Sequence, residues 1–355
     1  MKKILFVVES FGGGVFTYLS ELSNGLCEYF ELYIAYSKRP QTPLNFNVYF
    51  DRRIHLKELK NFRRSISPLQ DLKAIFELRK ITSEINPDII HLHSSKAGVV
   101  GRIAFNGKTV PLFYTPHGYS FLMENYGFFK RSFFKLIEKV MAMRNCTTIS
   151  CSLGEHMESL GLTKKASYVN NGINTVELDK IIEKVERVKH PFTVYTLGRI
   201  CFQKNPSLFN KIAESMPSVN FLWIGDGELR NELKSKNIKV TGWVDREKAI
   251  HLCLNADVFI LTSLWEGLPI SLLESMYMKK LCIVNNVIGN RDVILNGVNG
   301  FVCSSVMEFK NAIETKKTDC MISRAFDDIN NTYNTKIMVD RYKVIYNECL
   351  VKKYN

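Results

Sequence analysis

The 355-residue sequence lacks long apolar runs, internal repeats and the motifs of common metal sites. No stretch approaches the roughly 18–20 apolar residues that a membrane-spanning helix needs, so we expect none. Nine cysteines occur without a C-x-x-C pair, which fits reduced cytosolic thiols better than disulfides or structural zinc. Asp-x-Asp, a common device for bridging a diphosphate to a metal ion, is also absent. These absences predict a soluble, globular, cytoplasmic protein without a bound metal.

The positive charge is concentrated in the first half of the chain. Residues 1–172 contain 23 Lys and Arg against 14 Asp and Glu, whereas the remainder has 25 against 21. Such a field could attract nucleic acid, an anionic bilayer or phosphorylated substrates. The most basic segment, residues 52–64, reads as irregular and has only Phe62 as an aromatic stacking platform, so we predict no nucleic-acid partner. Its cations are Arg52, Arg53, Lys57, Lys60, Arg63 and Arg64. A solvated face is the default for them, and contact with lipid or a polyprenyl diphosphate is the alternative.

Two segments open with an apolar strand that runs into a glycine turn and a helix. Residues 4–8 lead to Gly12, Gly13 and Gly14, and residues 192–197 lead to Gly198. The repeated pattern predicts the α/β class with two Rossmann-like domains. The first turn has Thr17 where a dinucleotide fingerprint needs a third glycine, so we predict no nicotinamide or flavin cofactor.

The second half carries the most informative stretch, residues 263–274. Glu266 and Glu274 stand eight residues apart across a loop-to-helix junction, where Gly267, Leu268 and Pro269 open the helix. Helix N-termini attract anions. The layout suits a sugar joined to a nucleotide diphosphate, with hydroxyls at both ends and negative charge between them. Two solvated helix-end carboxylates are the alternative.

Two cations follow the glycine turn of the second half. Arg199 and Lys204 stand five residues apart before a helix that begins near Pro206. Arginine offers a fork that matches phosphate oxygens and lysine a mobile point charge, so the pair can neutralise a leaving diphosphate. Ordinary surface charge is the alternative. Strand 220–224 then ends in a further turn at Gly225 and Gly227.

In the first half, polar residues follow two predicted strands. His91 and His93 stand near the end of strand 87–93, before Ser94 and Lys96, and His117 follows a strand that starts at residue 112. Strand carboxyl ends are where open α/β sheets bind ligands. His-x-His invites a zinc interpretation, but a third ligand at suitable spacing is missing. Packing of satisfied histidines is the alternative to a ligand contact.

These motifs resemble those of the retaining nucleotide-sugar glycosyltransferases of family 4, which have the GT-B fold of two Rossmann-like domains facing across a cleft. The segments that carry the resemblance are the Glu-x7-Glu pair and residues 91–102, 112–118, 289–294 and 296–300. It is strongest for members that build bacterial surface polysaccharides. The domains would be residues 1–172, on the acceptor side, and 173–331, which bind the nucleotide sugar. The amphipathic helix at 332–353 would return to the first domain.

The resemblance also implies roles for single residues. Glu266 would bind donor-sugar hydroxyls, Glu274 the ribose hydroxyls, Arg199 and Lys204 the pyrophosphate, and His117 the reacting sugar. Further donor contacts would come from Gly13, Gly14, Gly198, Gly225, Gly227, Trp243, Gly267, Leu268 and Pro269. Acceptor contacts would come from Gly12, His93, Ser94 and Lys96.

The implied activity is a metal-independent, retaining hexosyl or N-acetylhexosaminyl transfer. The donor would be a UDP-sugar and the acceptor a growing, polyprenyl-diphosphate-linked polysaccharide, with no cofactor. The basic, phenylalanine-rich helix at residues 128–144 fits an anionic membrane surface, with packing on its own domain as the alternative. We therefore expect a cytoplasmic protein that is peripheral on the inner membrane face. A GT-B-fold nucleotide-sugar epimerase and a non-catalytic subunit of a glycosyltransferase complex remain alternatives, and no particular oligomeric state is predicted.

Overall fold

The computed structural model describes residues 1–63 and 65–354, with side chains through residue 351, and separates into two compact units. Arg64 of the basic segment lies outside the described residues. The N-terminal unit contains Met1–Leu122, Tyr126–Asn171 and the chain from Thr335 onward. The C-terminal unit contains Met123–Asn125 and Gly172–Asn334. The boundary expected after residue 172 and the change of unit after Asn171 differ by one residue.

The N-terminal unit is a seven-stranded parallel sheet in the order β3-β2-β1-β4-β5-β6-β7. Its elements are β1 Lys3–Phe11, α1 Gly13–Leu26, β2 Glu31–Lys38, β3 His55–Glu58, α2 Pro68–Ile85, β4 Ile89–His93, α3 Ser95–Ala104, β5 Leu112–Thr115, α4 Phe128–Ala142, β6 Thr147–Ser150, α5 Leu153–Leu160 and β7 Ala166–Tyr168. Alternate side chains of β1 pack into two cores: Phe6 packs with α1, and Leu5 with α2 and α3. Burial on both faces explains why this strand is continuously apolar.

The C-terminal unit is a six-stranded parallel sheet in the order β10-β9-β8-β11-β12-β13. Its elements are α6 Thr175–Ile182, β8 Thr193–Leu197, α7 Pro206–Glu214, β9 Asn220–Ile224, β10 Ile238–Val240, α8 Arg246–Leu254, β11 Val258–Leu261, α9 Ile270–Tyr277, β12 Leu281–Asn285, α10 Asn290–Val293, β13 Phe301–Cys303, α11 Val306–Ile313 and α12 Asp319–Thr332. Pro269 is the residue before α9, one position earlier than the first helical position expected for it.

The final helix, α13 Thr335–Tyr354, packs on α1 within the N-terminal unit. Its buried residues are Met338, Val339, Tyr342, Tyr346 and Leu350. Gly25 of α1 faces this helix: a Cβ atom there would lie 2.4 Å from Cγ2 of Val339. The two helices therefore approach more closely than a larger residue would allow, and α13 is part of the N-terminal core.

Each sheet reverses its strand order once. The reversal lies between β1 and β4 in the N-terminal unit and between β8 and β11 in the C-terminal unit. The connections that leave two such strands diverge to opposite faces, so a crevice opens at their carboxyl ends, where open α/β sheets bind ligands. Gly12 and Ser94 follow the strands at the first reversal, and Gly198 and Ser263 follow those at the second.

Three expectations about secondary structure are wrong in detail. The basic segment expected to be irregular contains the strand β3, which pairs with β2. This strand is short and mostly exposed, and its sequence shows no apolar pattern. The sequence also predicts a helix at 251–255, but this helix begins at Arg246, because the Asp245 side chain caps it by accepting from Lys248 N at 2.8 Å. The helix expected at 332–353 begins three residues later, at Thr335, because α12 ends at Thr332 and the Tyr333 carbonyl accepts from Ile173 N at 3.0 Å before α13 starts.

Within the described part of the chain, no helix combines the length and the apolar character needed to cross a bilayer.

Candidate functional site

Two glycine turns in the C-terminal unit allow the backbone to approach closely where β8 and β9 end. Gly198 and Gly225 have φ angles of +147° and +136°, which disfavour residues with a side chain. A Cβ atom on Gly225 would lie 2.2 Å from the Gly198 carbonyl oxygen, and one on Gly227 would lie 2.2 Å from that of Ile200. The backbone here has no space for side chains, so the turns require glycine.

Lys204 and Glu266 meet at this turn, 62 residues apart in sequence. Lys204 Nζ lies 2.6 Å from Glu266 Oε1, and the two side chains are 17% and 8% exposed. The Lys204 Cε atom lies 3.4 Å from the position of a Cβ atom on Gly198, so the lysine extends over the glycine turn. A cation and a carboxylate are thus adjacent at the strand-order reversal.

The loops that carry this pair are fixed by their own hydrogen bonds. Thr262 Oγ1 donates to the Lys204 carbonyl at 2.7 Å, and Leu264 N donates to the Gln203 carbonyl at 2.8 Å. Gln203 Nε2 in turn donates to the Trp265 carbonyl at 2.9 Å. The loop after β8 and the loop after β11 therefore hold each other, which positions Lys204 against Glu266.

Arg199 has a different partner from Lys204. Its guanidinium donates from Nε to Glu228 Oε2 at 2.9 Å, and both side chains are substantially exposed. An exposed pair of this kind contributes little to stability, typically about 0–1 kcal/mol. Arg199 can therefore exchange Glu228 for a ligand at low energetic cost.

The start of α9 lies against a second tight backbone approach. A Cβ atom on Gly289 would lie 2.5 Å from the Gly267 carbonyl oxygen, and Leu268 beside it is buried. Glu274, 3% exposed, lies in the second turn of α9 and accepts from Arg246 Nη1 at 2.7 Å. This second carboxylate is therefore also held by a cation.

The segment around Trp243, which the family resemblance places against the nucleotide base, lies beside the glycine turns. Gly225 N donates to Thr241 Oγ1 at 3.1 Å, and Gly225 also forms a backbone bridge with Gly242, whose φ angle is +74°. Trp243 is 63% exposed. The structure thus brings the backbone of residues 240–244 to the turn, while the Trp243 ring faces solvent.

Three histidines cluster at the strand-order reversal of the N-terminal unit. His93 Nδ1 lies 3.2 Å from His117 Nε2, and His91 Nδ1 lies 2.6 Å from the Tyr346 hydroxyl. The edge of the Tyr18 ring contacts His117, with ring centroids 4.6 Å apart. Burial lowers the pKa of His91 and His93 well below the ordinary value and that of His117 to about 3. The cluster is therefore neutral at physiological pH.

The expected acceptor residues surround the same reversal. Gly12 precedes α1, and Cβ atoms on Gly13 or Gly14 would meet nothing within 4 Å, so the backbone there borders open space. Ser94 has a φ angle of +85°, and its buried hydroxyl lacks a hydrogen-bond partner among the described residues. The Lys96 ammonium is held by the Asp71 carboxylate at 2.6 Å, so it does not point freely toward a ligand.

Two family models together cover most of the chain. Residues 12–177 match the model described as Glycosyltransferase Family 4, and residues 178–321 match Glycosyl transferases group 1. A UDP-Gal:alpha-D-GlcNAc-diphosphoundecaprenol alpha-1,3-galactosyltransferase of Escherichia coli is 30% identical over 342 residues, covering 86% of this chain and 87% of that one. The chain belongs to glycosyltransferase family 4. The family predicted from its motifs is thereby confirmed.

Further relatives of this family 4 glycosyltransferase agree. The Campylobacter jejuni GalNAc-alpha-(1->4)-GalNAc-alpha-(1->3)-diNAcBac-PP-undecaprenol alpha-1,4-N-acetyl-D-galactosaminyltransferase is 25% identical, covering 85% of this chain and 84% of that one. The solved sucrose-phosphate synthase of Thermosynechococcus elongatus superposes with a TM-score of 0.83 at 14% identity, covering 99% and 100% of the two chains. The predicted GT-B class with two Rossmann-like units is confirmed, and glycosyl transfer is supported over the epimerase and non-catalytic alternatives.

Glycosyltransferases of this type are generally metal-independent. In residues 1–63 and 65–354, no group of three or more His, Cys, Asp or Glu side chains is placed to hold a metal ion. Metal independence of this particular glycosyltransferase stays a prediction.

Sequence reasoning missed four residues of this glycosyltransferase's candidate site. Arg246 forms an ion pair with Glu274, and the Tyr18 ring contacts His117. The Tyr342 hydroxyl forms a hydrogen bond of 2.6 Å with the Tyr18 hydroxyl, and Tyr346 forms one with His91. One signal was available for Arg246: a glutamate inside the apolar start of α9 requires a buried partner. The tyrosines of α13 gave no signal, because only the fold brings the last helix to the histidines.

Proposed function

We propose that the chain transfers a hexosyl or N-acetylhexosaminyl group from a nucleotide-diphosphate sugar, with retention of anomeric configuration. The proposed acceptor is a polyprenyl-diphosphate-linked glycan of a surface polysaccharide, because the names of both relatives above include an undecaprenol-linked acceptor. UDP is the proposed nucleotide, since the Escherichia coli relative is named for UDP-Gal. The reaction would need no metal and take place at the inner face of the cell membrane.

The contact of Lys204 with Glu266 over Gly198 supports this proposal most directly. In a nucleotide-diphosphate sugar, the ring hydroxyls and the phosphate attached to the ring lie only a few ångströms apart. A cation beside a carboxylate offers a phosphate partner and a hydroxyl acceptor at that same spacing. The glycine turns add backbone that a phosphate can approach closely.

The remaining donor-site residues have roles that follow from their chemistry. Arg199 adds a second cation for the diphosphate, and the N-terminus of α9, which Gly267, Leu268 and Pro269 precede, adds the partial positive charge of a helix start. Glu274 accepts from the ribose hydroxyls. The turns at Gly225 and Gly227 bring donor-binding backbone close to the diphosphate, and the backbone of residues 240–244 beside them contacts the base.

In the proposed reaction, the bond between sugar C1 and the phosphate oxygen breaks, and a bond from C1 to the acceptor oxygen forms on the same face. The acceptor proton passes to a donor phosphate oxygen, so no protein general base is assigned. Negative charge grows on the departing diphosphate, where Lys204 and Arg199 stabilise it. His117, neutral because of its burial, contacts a sugar hydroxyl.

We assign the acceptor to the strand-order reversal of the N-terminal unit. Gly13 and Gly14 offer unobstructed backbone at the start of α1, whereas Gly12 before them packs against Gln41. Ser94 offers a buried hydroxyl without a described partner. His93 contacts His117 through its ring nitrogen and so helps to fix the His117 ring. Lys96 would have to exchange Asp71 for the acceptor diphosphate.

The test is to incubate the protein, in EDTA, with a panel of UDP-sugars and an undecaprenyl-diphosphate-linked sugar in detergent. We expect acceptor-dependent release of UDP and an α-linked product from an α-linked donor. Lys204→Ala should abolish most release, while Lys211→Ala, an exposed lysine of α7, should not.

Three outcomes would contradict the proposal. Conversion of the donor without acceptor would indicate an epimerase. Absence of product with every pair of substrates would favour a non-catalytic subunit. Release that depends on added divalent cation would overturn metal independence.

A further inference from the structure

Glu274 lies in the second turn of α9, between apolar residues of the same helix. Leu272, Leu273 and Met276 are fully buried around it, and the Glu274 side chain is itself buried. A carboxylate in such a place costs free energy unless hydrogen bonds or an opposite charge compensate it. The state of this one side chain therefore depends on what the neighbouring helices provide.

Arg246, the first residue of α8, provides the opposite charge. Its Nη1 donates to Glu274 Oε1 at 2.7 Å, and its Nε donates to Glu177 Oε1 of α6 at 3.2 Å. The guanidinium group is planar, so contacts through two different nitrogens fix its orientation as well as its position. Three helices, α6, α8 and α9, are thus joined by one arginine side chain.

A further contact holds α6 against α9. The Tyr277 hydroxyl donates to Asp179 Oδ1 at 2.7 Å, and Tyr277 lies three residues after Glu274, about one helical turn. The two acidic residues of α6, Glu177 and Asp179, therefore both contact the residues that surround the donor-site carboxylate. Because α6 is anchored in this way, Glu177 restrains Arg246 from one side while Glu274 restrains it from the other.

This arrangement uses only one carboxylate oxygen of Glu274. Arg246 donates to Oε1, whereas Oε2 accepts no hydrogen bond from any residue within the described ranges. An ionised carboxylate has about four acceptor positions over its two oxygens. Oε2 is therefore the oxygen that can accept from the ribose hydroxyls of a nucleotide.

Arg246 also offsets negative charge beside a site proposed to bind an anion. Glu177 and Glu274 carry two negative charges, of which the arginine cancels one. Without it, two carboxylates would repel a diphosphate, and the repulsion between partly buried charges is screened only weakly by salt. The arginine thus has two separable effects: its charge favours an anionic ligand, and its two contacts fix the orientation of the Glu274 carboxylate.

We propose that Arg246 is a positioning residue that makes the donor site selective for ribonucleotides over 2′-deoxyribonucleotides. It acts through Glu274, whose Oε1 it occupies, so that Oε2 is left for the ribose hydroxyls. Glu177 holds the guanidinium plane in the orientation that this requires. The inference rests on the proposed function, in which Glu274 binds the ribose of a nucleotide-diphosphate sugar, and it names the residue that sets this recognition.

The experiment is calorimetric titration of the whole chain with UDP and with 2′-deoxy-UDP, without acceptor. The wild type should bind UDP at least about tenfold more tightly, because the missing hydroxyl would have donated to a charged group. Arg246→Met should bind UDP at least about tenfold more weakly and prefer it by less than about threefold, since the carboxylate loses both its counter-charge and its orientation. Arg246→Lys should recover affinity for both nucleotides but not the preference, because lysine supplies the charge without the fork.

Matched variants separate this role from general stabilisation. Arg324→Met removes an arginine from an exposed ion pair with Asp328 of α12 and should bind both nucleotides like the wild type. Glu274→Gln and Glu274→Gln/Arg246→Met should show the same reduced preference, because the arginine acts through the glutamate. Glu177→Gln should lower the preference to a value between those of the wild type and Arg246→Met. This variant and Arg246→Lys test the inference even if Arg246→Met does not fold.

A preference for UDP that persists in both Arg246→Lys and Glu177→Gln would overturn the inference. A double variant that discriminates less than Glu274→Gln would also do so, since Arg246 would then contact the ribose itself. A wild type that binds UDP and 2′-deoxy-UDP equally would refute the inference but leave a nucleotide site, and with it the proposed transfer, in place. Failure of the wild type to bind either nucleotide would refute both this inference and the proposed UDP-sugar donor.

Discussion

The contact between Lys204 and Glu266 allows stability and catalysis to be tested separately. The charged atoms are 2.6 Å apart, and both side chains are largely buried. At an effective dielectric constant of about 20, charges at that distance attract by about 6 kcal/mol before desolvation is subtracted. Removing one partner of a fully buried pair costs about 3–5 kcal/mol. Because Lys204 retains some exposure, we expect Lys204→Met to lower the free energy of unfolding by about 2 kcal/mol.

A double-mutant cycle isolates the pair. Glu266→Gln should also destabilise the protein, since it leaves the lysine without its counter-charge. The double variant Lys204→Met/Glu266→Gln leaves neither charge uncompensated, so its loss should fall short of the sum of the single losses by about 1–3 kcal/mol. Urea unfolding of the four proteins measures this coupling.

Catalysis should not recover with stability. Loss of one electrostatic donor that acts on the transition state costs about 100-fold to 1,000-fold in kcat. We therefore expect Lys204→Met to lose at least about 100-fold in kcat/KM and the double variant to be no faster. Recovery of transfer together with stability would show that the pair is structural, and the reasoning about the diphosphate would fail.

Three further predictions follow from other contacts. Arg199→Ala should lose at least about 100-fold in kcat/KM but less than about 1 kcal/mol of stability, while Glu228→Gln should keep turnover within about twofold, because their pair is exposed. Gly227→Ala should cost about 1–3 kcal/mol of stability, since its Cβ would lie 2.2 Å from a carbonyl oxygen, and it should abolish the rise in melting temperature that we expect UDP to give the wild type. Burial lowers the pKa of His91 and His93, so below about pH 6.5 the unfolded chain binds protons that the folded chain does not. The free energy of unfolding, measured by urea denaturation, should therefore fall as the pH drops from about 7 to about 5, by up to about 1.4 kcal/mol per pH unit for each histidine. A free energy of unfolding that does not change with pH would contradict the neutral burial of these histidines.

The central strands could be predicted closely from the sequence, and the edge strands could not. The sequence predicts strands at 147–150 and 220–224 and a helix at 68–85, and the structure has these elements at the same residues. The four edge strands of the two sheets were not predicted; they are β3, β7, β10 and β13. Each has only three or four residues and one neighbouring strand, so even the apolar sequence of β13 and the alternating sequence of β10 are too short to indicate a strand. The central strand β12 was not predicted either, although its apolar residues directly follow Lys280.

At the candidate site, the types of residue could be predicted from the sequence, but their pairing could not. The order of glycines, cations and carboxylates predicted a diphosphate site, but not that Lys204 pairs with Glu266 while Arg199 pairs with Glu228. A buried carboxylate without a partner is costly, so each buried glutamate implies a hydrogen-bond donor, and at Glu266 and Glu274 that donor is a cation. For Glu274 that cation is Arg246, 28 residues upstream. The 25 lysines and arginines after residue 172 offer many candidates, and only the fold, which brings the first residue of α8 to Glu274, selects among them. Composition can therefore predict that a counter-charge is needed, whereas its identity depends on contacts between elements distant in the chain.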